Sequence, residues 1–102
     1  MPTATLAEAD LINRHTPHID YIAEMTTPAT TLTEFARHLD YAADNLHQAG
    51  ITGAADVKTA ATLLAQTTDT TIADRQTLLL RAAVLLENVP DMTGKYRKLI
   101  GE

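Results

Sequence analysis

The chain has 102 residues, a net charge of −5, 45% apolar but only 4% aromatic residues, and no cysteine. That length suits one domain with a modest aliphatic core, and the missing cysteine excludes disulfides and thiolate metal centres. No apolar run approaches the roughly 18–20 residues of a membrane span, since Leu78–Leu80 is broken at once by Arg81.

The N-terminus lacks the basic and apolar regions of a signal peptide, so a cytoplasmic protein is expected. Alanine and threonine each occur 17 times and serine never, which points to a GC-rich, bacterial genome and says nothing of mechanism. Residues 1–90 carry five bases and eleven acids, a net of −6, while residues 91–102 carry three bases and two acids, a net of +1. A scattered acidic surface keeps a protein soluble and repels nucleic acid.

Three threonine–acid triplets punctuate the chain: Thr5–Glu8, Thr31–Glu34 and Thr71–Asp74. In a capping box the threonine oxygen accepts from a first-turn amide, and the acid reaches back to the cap residue's own N–H. Each triplet therefore marks a helix start. After Thr5, Leu6, Ala9, Leu11 and Ile12 open the first helix. Thr16-Pro17 then allows two readings, a new helix capped by Thr16 with Pro17 at its first position, or one helix running through a kink. Ile19, Ile22 and Met25 continue the helical spacing either way, and residues 26–30 form a connector around Pro28.

A helix over about 32–49 follows, ending at Gly50. Leu32, Leu39 and Leu46 recur every seven residues with Phe35, Ala36, Ala42 and Ala43 between them, which gives a bundle seam. The alanines permit close approach by a partner helix. Residues 51–53 make a turn, and a helix over about 54–66 shows Val57, Ala60, Ala61 and Leu64. The helix over 72–88 repeats the seven-residue spacing as Ile72/Leu79/Leu86 and Leu78/Leu85. Its polar stripe (Asp74, Thr77, Arg81, Asn88) is narrow, so it is expected to be the central helix, packed against 32–49. Pro90 ends it. A last segment over 92–100 places Met92, Tyr96, Leu99 and Ile100 on one side, expected to pack on the bundle. No strand-like alternation occurs. The expected fold is all-α, a single compact bundle of four to five short helices, with 91–102 a short basic segment packed on it.

Chemistry is sparse. His15/His18, and His38 and His47 with Glu34 and Asp44, fall short of the paired Glu-x-x-His sets of di-metal bundles. Without serine, cysteine or a glycine-rich nucleophile turn, nucleophilic catalysis has no basis. Thr93-Gly94-Lys95 lacks the earlier glycine, the Ser/Thr and the strand of a phosphate-binding loop. No enzyme activity, metal or cofactor is expected.

Two surfaces suggest protein contact. The outward side of the second helix is expected to present Glu34, Arg37, His38, Tyr41 and Asn45, residue types able to stack or pair. Lys95, Arg97 and Lys98 supply a basic C-terminal patch, too few charges to hold an anionic membrane at about 1 kcal/mol each. The expected function is a non-catalytic protein-interaction module, binding a protein partner or self-associating through surplus Leu/Ala seam. The alternative is a small DNA-binding regulator. Residues 45–66, with Gly50 then Ile51 in the turn, resemble a helix-turn-helix, which implies a base-reading second helix. That helix has Lys58 as its only cation, and phosphate neutralisation dominates DNA affinity, so nucleic acid is the disfavoured partner.

Overall fold

A computed structural model describes residues 8–67 and 72–101. Five helices follow one another: α1 (Glu8–Ala23), α2 (Leu32–Gln48), α3 (Ala54–Gln66), α4 (Ile72–Leu85) and α5 (Val89–Leu99). Among the described residues there is no strand, and the all-α bundle read from the sequence is the fold.

α1 runs unbroken through Pro17. Proline removes an N–H that would bond four residues back and crowds that carbonyl. Here Pro17 and Asn13, the residue four before it, are both exposed, on the side where water can serve the freed carbonyl. Thr16 is therefore no cap; its hydroxyl donates back to the Ile12 carbonyl at 2.5 Å. The helix ends in a Schellman motif, with Met25 N–H bonded to Asp20 O at 2.9 Å and Glu24 N–H to Tyr21 O at 3.3 Å. Glu24 takes the left-handed position with φ +59°, a place glycine usually fills.

α2 opens with the capping box. The Glu34 amide donates to Thr31 Oγ1 at 3.2 Å. The Glu34 carboxylate closes the box one residue early, accepting from the Thr30 amide at 3.2 Å and hydroxyl at 2.8 Å, and from the Thr31 hydroxyl at 3.2 Å. The Thr30 hydroxyl above all, then its amide, holds the Glu34 carboxyl below the ordinary value. The triplets at Thr5 and Thr71 begin outside the described residues. At the other end Ile51 N–H bonds Leu46 O and Gly50 N–H bonds His47 O, each at 3.0 Å. Gly50 supplies φ +73°, so the expected glycine stop is a full Schellman turn.

The expected hub is displaced. α2, not α4, is central: it packs along α3 on one side and α1 on the other, α4 lies mainly on α3, and α5 returns to α1. α4 scarcely meets α2. Composition explains the difference. Leu32, Phe35, Leu39 and Leu46 on α2 are buried with Ala36, Ala42 and Ala43, and α3 buries Val57 and Leu64 with Ala54, Ala60 and Ala61. Small residues on both sides of that seam let the two helices meet over their length. On α4, Leu79, Ala82 and Leu86 are buried, but Leu78 and Leu85 are half-buried and Leu80 and Val84 lie out in solvent.

α4 also ends earlier than expected, at Leu85, and residues 86–88 turn. Pro90 stands in the first turn of α5, where its missing amide costs nothing. Val89, Met92 and Tyr96 are buried, whereas Leu99 and Ile100, expected on the bundle, are exposed.

Candidate protein-interaction surface

The expected contact face on α2 is largely turned inward or committed to structure. His38 is buried, and its Nδ1 lies 2.8 Å from Asp20 Oδ1 of α1. Asn45 Nδ2 donates to the Ile22 carbonyl at 2.8 Å, serving a carbonyl of the last turn of α1 that the helix leaves open. Glu34 belongs to the cap. The residues that do face solvent are Arg37, Tyr41, Asp44 and Gln48, a stripe at i, i+4, i+7 and i+11. Only polarity points His38 and Asn45 outward; each instead stitches α2 to α1.

The basic C-terminal residues are exposed but mostly engaged. Lys95 pairs with Asp91 at 3.3 Å, and the Arg97 guanidinium lies 5.0 Å from the Tyr21 ring centroid. Tyr96 meets the same ring edge-on at 6.1 Å. Lys98 lies with Leu99 beside the α2–α3 turn. In the helix-turn-helix-like unit, the Lys58 ammonium contacts Asp40 with Asp44 nearby, which raises its pKa, and Asp56 is exposed.

A further groove, marked by no sequence motif, lies between α1 and α4. Arg14, His15 and His18 form one wall and Leu80, Ala83, Val84 and Glu87 the other, with Pro90 at one end, around a cavity of about 440 Å³. Leu80 is 48% and Val84 63% exposed. Four residues apart, they form one ridge on the helix. At the floor, His15 is only 6% exposed, and its Nδ1 is buried with no hydrogen-bond partner. Burial, then repulsion from Arg14 and His18, holds the His15 pKa below 6.5, so this ring is neutral near pH 7.

One sequence signal could have revealed the groove. Val84 lies seven residues after Thr77 and four before Asn88, which puts it inside the polar stripe of α4 and not beside the seam. Wide apolar coverage read as centrality, when it reflects a helix with two apolar faces and only one neighbour's worth of cover.

Among the described residues, no three His, Asp or Glu side chains converge where they could hold a metal ion, and no helix is long and apolar enough to cross a membrane. No protein-family model, curated protein or solved structure matches the chain. Its functional reading therefore rests on the groove and the surface around it.

Proposed function

We propose that the chain is a non-catalytic helical module of the cytoplasm that works by docking on polypeptide, with the α1–α4 groove as its docking face. The observation that carries this reading is the Leu80/Val84 ridge, two large aliphatic side chains about half exposed or more, set beside a concave surface. Covering the remaining apolar area of both contributes roughly 1–3 kcal/mol. Contiguous apolar surface rimmed by charged groups is where protein partners bind. Arg37 and Tyr41 offer a second, smaller contact stripe.

The DNA-binding alternative draws less support. The one cation of α3 is held by Asp40, and a reading helix without a free cation has little to set against phosphate.

The test is affinity capture from the native host with the chain and its Val84→Glu variant as baits. Proteins retained by the first and lost from the second are expected. Identical profiles would contradict the assignment of the groove.

A further inference from the structure

We infer that His15 is a proton-operated switch in the α1–α4 groove: the neutral ring keeps its buried seat, and the charged ring turns out between the walls toward Glu87. The ring movement stands by itself. Its consequence, that acid fills the groove and makes it cationic against an occupant, rests on the docking reading above.

The seat suits only the neutral ring. His15 is 6% exposed, and its Nδ1 is sealed with no hydrogen-bond partner. In the neutral ring that nitrogen can carry the lone pair, whereas protonation makes both nitrogens donors. A sealed, charged N–H without an acceptor costs far more than an unmet neutral acceptor. The neighbours on α1, Arg14 and His18, both act against the charge. Other charged groups on the helices packed against α1 are engaged elsewhere or turned to solvent. His38 of α2 is bonded to Asp20, Arg75 of α4 to Glu8 and Lys95 of α5 to Asp91. Arg97 of α5 lies over Tyr21, and Arg81 of α4 is exposed.

The groove is the way out. His15 already lines its cavity of about 440 Å³, the room of many waters at about 30 Å³ each, so a five-membered ring fits. The other boundaries of α1 are fastened more closely. α2 is stitched to it by His38 and Asn45, and α5 by the Tyr21–Tyr96 edge contact. The ion pair between α1 and α4, Glu8–Arg75, lies two turns before His15. On the facing wall stands Glu87, the one carboxylate lining the groove among the described residues. It is exposed and makes no ion pair with a described residue. A charged ring in the groove therefore gains both water and an anion that its seat withholds. Glu87 does not act on the seated ring, where burial, Arg14 and His18 do.

Nuclear magnetic resonance of the full chain from pH 7.5 to pH 4 tests this, following the His15 ring and the methyls of Leu80, Ala83 and Val84. The groove methyls are expected to move with the His15 midpoint, below about pH 6.5, while Ala42, Ala60 and Leu64 of the α2–α3 seam stay still. His18→Gln should keep this transition, since the other groove imidazole is not its source, and His15→Leu should abolish it. Glu87→Gln, at an exposed position, should lower the His15 midpoint by ~0.2–0.7 pH unit, the worth of an exposed ion pair. Circular dichroism checks that each variant folds as the parent does. A midpoint unchanged in Glu87→Gln overturns the inference, because the charged ring then stays out of that carboxylate's reach. Groove methyls that ignore the His15 proton, or that move only together with the seam as the chain unfolds, overturn it too. None of these results touches the docking reading, which the Val84→Glu capture decides at pH 7.5.

Discussion

Gly53 joins α2 to α3 under two independent constraints, and replacing it by alanine separates them. Its φ is +106°, a conformation that costs an L-residue about 1–2 kcal/mol. A β-carbon there would overlap Met92 Cε and lie 3.2 Å from its Sδ, closer than atoms can pack. Met92 is 3% exposed, which limits how far it can shift, but the obstructing atom is the end of a flexible side chain, so this overpacking costs the lower part of the usual range, about 1–2 kcal/mol. The expected loss for Gly53→Ala is therefore about 2–4 kcal/mol, a fall in Tm of roughly 10–25 °C for a domain of this size. The assay is urea unfolding followed by far-ultraviolet circular dichroism, since the chain has no tryptophan. Met92→Leu ends the side chain one atom earlier and removes the closest contact. In that background Gly53→Ala should lose only the backbone part, about 1–2 kcal/mol, with a coupling of about 1 kcal/mol across the double-mutant cycle. A Gly53→Ala protein within about 0.5 kcal/mol of the parent would refute the reasoning. Strict additivity with Met92→Leu would refute its steric half, and with it the seating of α5 against the α2–α3 turn.

Other elements answer to similar measurements. Thr31→Ala removes the acceptor for the Glu34 amide and is expected to cost about 1 kcal/mol in the same unfolding assay; an unchanged midpoint would show that the cap is idle. Glu24→Gly relieves a left-handed residue at φ +59° and should stabilise by up to about 1 kcal/mol, a gain readable as a higher Tm. His15 has a pKa lowered by burial, so the unfolded chain takes up this proton at higher pH than the folded one. Its contribution to stability is complete above about pH 6.5 and declines as pH falls through that value toward the lower folded pKa. Stability measured from pH 7.5 to pH 5 should fall less steeply for His15→Leu than for the parent; parallel profiles would show that the ring does not titrate differently on folding.

How much was legible in the sequence follows from which signals are local. The start and stop of α2 were readable because Thr31, Glu34 and Gly50 act on amides and carbonyls within four residues of themselves. The α2 seam was readable because Leu32, Leu39 and Leu46 repeat in register with the helix, and all three are buried. The hub of the bundle was not, because which helix lies in the middle depends on where alanines on two separate helices coincide. His38 and Asn45 looked like surface residues for a related reason. Their partners, Asp20 and the Ile22 carbonyl, lie 18 and 23 residues away, and nothing in the spacing joins them. The groove was hidden by a single inference, that a widely apolar helix is an enclosed one, although the register of Val84 among Thr77, Arg81 and Asn88 already placed it in the polar stripe.

The central claim, that the α1–α4 groove is where this chain meets a polypeptide, is tested most directly by amide chemical shifts recorded as a protein captured by the chain, and lost with Val84→Glu, is titrated in. Shifts that move with the added protein are expected around Arg14, His15, His18, Leu80, Val84 and Glu87, with the Arg37–Gln48 stripe unmoved. Shifts that stay fixed throughout, or that move on the α2–α3 face instead, would contradict it.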